Sequence, residues 1–212
     1  NPSHTFTSAG SFNVTLIATG SNGCIDTIIK PVAVNPLPSA NFSATDACLG
    51  YTSAFTNLST IVSGSIVSTI WDFGDGTGTS NAANPNYIYA SVDTFNVSMT
   101  VTSNLGCTAS VTLPAMVNPP PIADFTFNNV CLYDPATFTD LSTIATGTII
   151  SWAWDFGDGN TSALFNPSHL YNSGTGYTIT LIAASGKGCM DSAVKNIVIH
   201  PVPVANFTTA NV

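Results

Sequence analysis

The hexapeptide WDFGDG occurs twice in this chain, at residues 71–76 and 154–159. Two acidic residues in so short a motif are unusual here, because charged residues make up only 7% of the sequence. Trp and Phe stand two positions apart, so both can face one side of a strand, and Gly-Asp-Gly suits the positive-φ positions of a tight turn. The motif therefore predicts a buried strand end followed by a turn, in which the carboxylates accept hydrogen bonds from backbone N–H groups. The residues assigned to this structural turn are Trp71, Asp72, Gly74, Asp75, Gly76, Trp154, Asp155, Gly157, Asp158 and Gly159.

The rest of the chain repeats with the same step. Trp71 returns as Trp154, 83 residues later, and NPSHTF at Asn1 returns as NPNYIY at Asn84 and as NPSHLY at Asn166. A fixed step of this size indicates an array of structural units. We therefore expect this chain to be a segment of a longer array. The predicted units are the last part of one repeat at 1–36, complete domains at 37–118 and 119–201, and the first strand of a further repeat at 202–212.

Within each unit the apolar residues recur at every second position. This alternation runs through residues 12–18, 95–101 and 177–183, and turn clusters such as SNG, GDG and SGKG separate such segments. About seven short strands in roughly 80 residues are typical of an immunoglobulin-like β-sandwich. The fold class predicted is all-β, with tandem sandwiches arranged end to end and joined by short proline-rich linkers.

Composition excludes several classes of function. Of the 212 residues, 11 are Asp and three are Lys, with no Glu and no Arg, which gives a formal net charge of −8. No basic patch is available to neutralise phosphates, so we expect no nucleic-acid partner. No apolar run approaches the length of a membrane span, so we expect no membrane insertion in this segment. A polar surface with few charges favours an extracellular or cell-surface location.

WDFGDG, followed by NP-x-H-x-Y and then G-x-Y/F-x-V-x-L, resembles the polycystic-kidney-disease (PKD) domain family of Ig-like extracellular modules. Both complete repeats match all three blocks with minor departures, and residues 1–36 match the last two. One departure is Tyr87, which stands where the other repeats have His4 and His169. The cysteine-bearing, Asn/Thr-rich style of repeat resembles large secreted surface proteins of Bacteroidetes, which implies a role in adhesion or gliding motility.

Metal and catalytic sites have little support in the sequence. Some PKD-like modules resemble calcium binders through acidic residues in the loop before the Trp strand, but here those loops contain no carboxylate. Calcium needs six or more oxygen ligands, so Asp72, Asp75, Asp155 and Asp158 are weak calcium candidates. Tyr87 at a His position argues against a histidine metal ligand. No nucleophile–base pair is suggested, so we expect no enzymatic activity and no cofactor.

Five cysteines without a CxxC pair predict disulfides in an extracellular chain. An intradomain pairing would join Cys48 to Cys107 and Cys131 to Cys189. However, Cys48 and Cys107 are expected at opposite poles of one sandwich, separated by a strand of roughly 30–35 Å, whereas a disulfide tolerates only about 7 Å between Cα atoms. We therefore favour an interdomain Cys48–Cys189 disulfide, with Cys24 and the other cysteines paired to residues outside this segment. The intradomain pairing remains one alternative, and free thiols are the other.

Two short motifs are candidates for glycosylation. DTI and DSA place Thr27 and Ser192 in sequences that resemble the Asp-Ser/Thr-aliphatic O-glycosylation sites of Bacteroidetes. The alternative is that both are plain strand residues.

These observations favour a non-catalytic structural or adhesive array that acts as a stiff stalk or filament body. Its partners would be neighbouring repeats of the same chain, identical chains in a fibre, and surface glycans or matrix. A second hypothesis is a carbohydrate- or matrix-binding accessory module of a secreted hydrolase. A third is a calcium-gated hinge.

Overall fold

A computed structural model describes residues 1–208, and these contain β-strands and no α-helix. Contacts divide the chain into two compact units, residues 1–117 and 118–212. The strands of the first unit are β1 (Gly10–Thr19), β2 (Ile25–Val34), β3 (Phe42–Ala44), β4 (Ala47–Cys48), β5 (Ser53–Asn57), β6 (Ile66–Asp72), β7 (Thr79–Ser80), β8 (Asn86–Tyr87), β9 (Thr94–Ser103) and β10 (Thr108–Asn118, whose last residue falls in the second unit). Those of the second are β11 (Phe125–Phe127), β12 (Val130–Cys131), β13 (Ala136–Asp140), β14 (Ile149–Asp155), β15 (Thr161–Ser162), β16 (Ser168–His169), β17 (Gly176–Ser185) and β18 (Met190–His200).

Each complete repeat is a sandwich of a five-stranded and a three-stranded sheet. In the first domain the strand orders are β4-β10-β9-β6-β7 and β3-β5-β8. In the second they are β12-β18-β17-β14-β15 and β11-β13-β16, so the two domains have the same topology. The all-β, immunoglobulin-like fold predicted from the sequence is confirmed.

The period-two pattern explains which face of each long hairpin is buried. In β9 the side chains of Val97, Met99 and Val101 are fully buried, while the residues between them are not. The antiparallel register pairs Met99 with Val111 and so fixes the face that the hairpin of β9 and β10 presents to the core. Alternation of this kind is what a sheet with one buried face requires.

Aromatic residues fill the space between the two sheets. In the first domain the Trp71 ring packs edge-on against Phe42, with ring centroids 5.0 Å apart, and Phe125 and Trp154 repeat this contact at 5.2 Å in the second. The buried aromatic side chains of the two cores are Phe42, Phe55, Trp71, Phe73, Tyr89, Phe95, Phe125, Phe138, Trp154, Phe156 and Tyr171. Burial of such rings provides much of the hydrophobic free energy of a small sandwich.

The hairpin of β1 and β2 has the same alternation but a different environment. Val14 and Leu16 are 45% and 64% exposed, whereas the equivalent Val97 and Met99 are 0% exposed. The β1–β2 hairpin forms a two-stranded sheet of its own. Its apolar face is therefore exposed in the structure.

The predicted first strand of a further repeat, residues 202–212, is not formed where the structure describes it. Residues 202–208 have no strand conformation, and residues 209–212 lie outside the described part. In the complete domains the corresponding β3 and β11 pair with β5 and β13, the next long strands along the chain. Residues 202–208 have no such partner strand in the described part of the chain.

Candidate functional site

Each copy of WDFGDG begins at the end of a buried strand. Trp71 lies in β6 and Trp154 in β14, and both are essentially unexposed. The indole Nε1 of Trp71 donates a hydrogen bond to the Ala82 carbonyl, and that of Trp154 donates to the Leu164 carbonyl, both at 2.9 Å. Each tryptophan thus joins its own strand to the segment that follows the turn.

The first carboxylate of each motif holds its own turn. Asp72 Oδ1 accepts a hydrogen bond from the Gly74 N–H at 2.9 Å, and Asp155 Oδ1 accepts one from the Gly157 N–H at the same distance. These contacts span two residues, as in an Asx turn. One oxygen of each carboxylate is thereby used to fix the chain direction after the strand.

The second carboxylate of the first domain accepts hydrogen bonds from two further N–H groups of its loop. Asp75 Oδ1 accepts hydrogen bonds from the Thr77 N–H at 3.0 Å and from the Gly78 N–H at 2.8 Å. In the second domain Asp158 Oδ1 accepts from the Asn160 N–H at 3.0 Å. The acidic residues of both motifs are engaged with the backbone of the turn.

The central glycine of the motif is required by geometry. Gly74 and Gly157 have φ values of +76° and +77°. A Cβ atom at these positions would lie 2.4 Å from the carbonyl oxygen of Asn96 or of Thr178. A side chain would therefore meet both an unfavourable backbone region and a neighbouring strand.

The other oxygen of Asp75 binds a side chain. The Tyr87 hydroxyl donates a 2.5 Å hydrogen bond to Asp75 Oδ2, and the Tyr87 ring stacks on Phe73 with centroids 4.1 Å apart. This hydrogen bond, together with those from Gly78 and Thr77, lowers the pKa of Asp75 to about 2. The same carboxylate raises the pKa of the Tyr87 hydroxyl. The structure thus brings two separate motifs, WDFGDG and NPNYIY, into one cluster.

The second domain builds this cluster with histidine. His169 Nε2 lies 2.7 Å from Asp158 Oδ2, and the imidazole stacks on Phe156 at 4.3 Å with nearly parallel planes. Partial burial raises the pKa of Asp158, but the hydrogen bonds from His169 and Asn160 outweigh this effect and hold the pKa below its ordinary value. His169 is engaged with a carboxylate and an aromatic ring.

The sequence alone did not reveal a further, partly buried cluster in the second domain. Asp140 Oδ2 accepts a hydrogen bond from Trp152 Nε1 at 3.0 Å, and Asp140 Oδ1 accepts from the Ser142 N–H at 3.1 Å. The Trp152 indole also packs edge-on against Phe165 at 4.8 Å. The sequence feature that could have indicated this cluster is a difference between the repeats, since Trp152 stands where the other complete domain has Thr69.

The equivalent cluster of the first domain is neutral. Asn57 Oδ1 accepts a hydrogen bond from the Ser59 N–H at 2.9 Å, and Asn57 Nδ2 donates to Thr69 Oγ1 at 3.4 Å. Ala83 takes the position that Phe165 has in the other domain. Two aromatic rings and a carboxylate are therefore replaced by an amide, a hydroxyl and a methyl group.

The weak calcium candidates do not come together as a larger ligand set. Over the described residues 1–208, no three side chains of His, Cys, Asp or Glu are grouped so as to hold a metal ion. The same part of the chain contains no α-helix of the length and apolarity that crossing a membrane requires.

The cysteines differ in their state. Cys24, Cys107 and Cys131 have free thiols, whereas Cys48 and Cys189 are disulfide-bonded. The two intradomain pairs weighed as an alternative require Cys107 and Cys131 and are therefore not formed. A strand separates the two poles at which Cys48 and Cys107 lie, because Cys48 is in β4 and Cys107 precedes β10. The favoured Cys48–Cys189 pairing and the external partner of Cys24 remain predictions.

The two glycosylation candidates lie on exposed strand positions. Thr27 is in β2 and Ser192 in β18, and both residues are exposed. Asp191, the residue before Ser192, accepts a hydrogen bond from the Ala123 N–H at 2.8 Å and so has a structural role. The accessibility of both hydroxyls permits modification by an enzyme that recognises the flanking residues.

Comparison with known proteins identifies the family of both domains. Residues 39–114 and 118–199 each match a family model described as the PKD domain. A microbial collagenase of Vibrio alginolyticus is 40% identical over 58 residues, which are 27% of this chain and 7% of that protein. Collagenase ColQ1 of Bacillus cereus (strain Q1) is 48% identical over 42 residues, 20% of this chain and 4% of that protein.

Solved structures of PKD domains are also similar to this chain. The PKD1 domain of the Vibrio cholerae metalloprotease PrtV is 30% identical, and the match covers 38% of this chain and 98% of that domain, with a TM-score of 0.37. The matched regions make up less than a tenth of the length of either collagenase.

Proposed function

Because the chain belongs to the PKD domain family, with two complete Ig-like repeats in tandem, we propose that it is a non-catalytic extracellular spacer. In this proposal the repeats form the stiff stalk or filament body of a cell-surface adhesin. Neighbouring repeats of the same chain are its main partners, and identical chains in a fibre are further partners.

The observation that carries this proposal is the use of the acidic residues. Asp72, Asp75, Asp155 and Asp158 each accept a hydrogen bond from the backbone of their own turn. Asp75 and Asp158 also bind Tyr87 and His169, which pack on core aromatic rings. Groups committed to hydrogen bonds of this kind act as structural clamps, and a nucleophile or general base would need a free position facing a substrate.

An interdomain disulfide between Cys48 and Cys189 would make the stalk stiffer. Support for this pairing comes from the state of the cysteines, since Cys107 and Cys131 have free thiols. The repeat step then predicts that Cys131 and Cys107 use the same positions to join the repeats beyond each end. A covalent link between modules reduces the freedom of the linker in the same way that a disulfide reduces the freedom of an unfolded chain.

Peptide mapping without reduction tests the pairing. Trypsin is unsuitable, because the chain has only three lysines and Pro31 follows Lys30. Pepsin at low pH is better, since it also suppresses the thiolate that exchanges disulfides. We expect a disulfide-linked peptide pair that contains Cys48 and Cys189. A Cys48–Cys107 pair would overturn the interdomain link.

Small-angle X-ray scattering tests the spacer itself. Strands of 11 residues span about 35 Å, so two domains in line give a rod at least about 70 Å long. A compact chain of this length has a radius of gyration near 17 Å, whereas the rod requires more than about 21 Å. We expect the larger value in oxidising buffer and a broader distance distribution after reduction. A radius near 17 Å would contradict the stalk.

A second candidate function is an accessory module of a secreted hydrolase. The identity with segments of two collagenases favours it, because accessory modules often bring an enzyme to an insoluble substrate. Cosedimentation of the chain with fibrillar collagen tests this function. Retention in the pellet, with a bovine serum albumin control in the supernatant, would favour the accessory role over a passive spacer.

A further inference from the structure

The first complete domain has an open cleft of ≈ 490 Å³ beside its acidic-turn strand β6. Its size is within the range of about 300–1,000 Å³ that small-molecule sites occupy. Polar neutral groups and apolar groups share the walls, and none of the lining residues is charged. The lining includes Asn57, Ile66, Ser68, Thr69, Asn81 and Ala83.

The second domain shows what this region holds when it is filled. At the positions of Thr69 and Ala83 it has Trp152 and Phe165, whose rings pack together with centroids 4.8 Å apart. The surrounding hydrogen bonds are the same in both domains, since Asn84 Oδ1 accepts from the Asn57 N–H as Asn166 Oδ1 accepts from the Asp140 N–H, both at 2.8 Å. The cleft therefore lies in a part of the fold that both domains share, and it lacks the two rings of the second domain.

The chemistry of the cleft selects its occupant. The Ser59 N–H donates to Asn57 Oδ1 at 2.9 Å, which fixes the orientation of the amide and directs Nδ2 towards Thr69. A tryptophan at position 69 would therefore direct its indole N–H at the N–H donor of Asn57. In the second domain, by contrast, the Trp152 indole N–H faces the carboxylate of Asp140. A hydroxyl group can accept from this amide and donate to a neighbouring oxygen.

We propose that this cleft binds a neutral hexopyranose residue of a glycan. A pyranose ring has a C–H face that suits Ile66 and Ala83, and hydroxyls at its edge that suit Asn57, Ser68 and Asn81. The absence of charged side chains from the lining residues favours a neutral sugar over a uronic acid or a sulfated one. This inference adds a ligand to the domain and does not depend on the spacer role.

An NMR titration of the full chain tests the site. The probes are the methyl glycosides of glucose, galactose, mannose and N-acetylglucosamine, each added up to 50 mM. We expect at least one of them to shift the amide resonances of Ile66–Asp72 and of residues 81–83 in a saturable manner. The resonances of the second domain, in which Trp152 and Phe165 fill the equivalent region, serve as an internal control and should not shift.

Two variants separate this site from unspecific contact. The double variant Thr69→Trp/Ala83→Phe places the two aromatic rings of the second domain in the cleft and should abolish the shifts. The milder variant Asn57→Asp keeps the size of the side chain and removes its N–H donor, and Asp140 shows that a carboxylate is accommodated at this position. We expect it to weaken binding at least tenfold.

Each outcome decides the proposal. Saturable shifts that disappear in the double variant and weaken in Asn57→Asp support it. Failure of all four glycosides to shift these resonances, or shifts that persist in both variants, overturns it. Saturation by 3-methylindole in the absence of any response to the glycosides also overturns it and assigns the cleft to an aromatic side chain of a protein partner.

Discussion

The carboxylate of Asp75 lies 2.5 Å from the hydroxyl of Tyr87, and the loop that makes this contact is one residue longer than the loop in which Asp158 meets His169. The additional residue brings Gly78 against the phenol, so closely that a Cβ atom there would lie 2.4 Å from the Tyr87 ring. The larger side chain of Tyr87 is therefore accommodated by the longer loop, which contains Gly78.

This relationship predicts the effect of an exchange in the second domain. His169→Tyr alone should destabilise it by about 1–3 kcal/mol, because the phenol is longer than the imidazole and overpacks the shorter loop. Replacement of Asn160 by Thr-Gly in the same variant should restore most of the loss. Thermal unfolding by circular dichroism measures both, and the Thr-Gly loop with His169 retained is the control. If His169→Tyr alone leaves the melting temperature unchanged, the length of the loop does not limit the size of the side chain at position 169.

A second prediction separates backbone strain from collision in the acidic turn. Gly74 and Gly76 have φ values of +76° and +83°, but only Gly74 faces a carbonyl oxygen, that of Asn96, at contact distance. Gly76→Ala should cost about 1–2 kcal/mol from the left-handed conformation alone. Gly74→Ala should cost clearly more, because β9 must also move. Urea unfolding measures the difference, and equal losses for the two variants would contradict the close approach.

A third prediction concerns a buried hydroxyl. Among the described residues, the Oγ atom of Ser53 is buried and has no hydrogen-bond partner, and the second domain has Ala136 at this position. A buried unpaired polar group costs about 1–3 kcal/mol, so Ser53→Ala should stabilise the first domain. The expected rise in melting temperature is about 4–8 °C per kcal/mol for a domain of this size. The reverse change in the other domain, Ala136→Ser, should lower the melting temperature of the second domain.

A fourth prediction follows from the lowered pKa of Asp75. Its value is about 2 in the folded chain, against an ordinary value of 3.8. A depressed carboxyl pKa stabilises the folded state at pH above about 4, and this contribution is lost as the pH falls towards 2. Asp75→Asn should therefore be less stable than the parent at pH 7, and the gap should narrow between pH 4 and pH 2.

Urea unfolding across this pH range is the measurement for Asp75. Asp46→Asn, which removes an exposed carboxylate of the same domain, controls for the change in net charge. A stability gap for Asp75→Asn that stays constant down to pH 2 would show that the lost interaction does not depend on the charge of the carboxylate.

The sequence was sufficient for the fold because its signals are local or periodic. Trp71 and Phe73 stand two residues apart and are both buried, and the alternation from Phe95 to Val101 gives the buried face of β9. The repeat step of 82–83 residues predicted two complete domains. Alternation alone did not determine burial, because Val14 has the same pattern and is exposed.

The contacts between segments distant in the sequence could not be predicted from local or periodic patterns. Nothing in the local pattern pairs Asp75 with Tyr87, since their contact depends on how β8 passes the turn. The bond from Trp152 to Asp140 also joins strands of different sheets. The second contact becomes visible when the two repeats are compared, because Trp152 and Asp140 both change, to Thr69 and Asn57, in the first domain.

The exposed apolar face of the β1–β2 hairpin has a practical consequence for the melting experiments. Val14, Leu16 and Ile28 on this face should bind environment-sensitive dyes such as ANS while both domains are folded, so a dye-based melting assay will start from a high baseline. Intrinsic tryptophan fluorescence avoids this problem, because all three tryptophans lie in the complete domains and none in residues 1–36. Trp71 then reports on the first domain, and Trp152 and Trp154 report on the second.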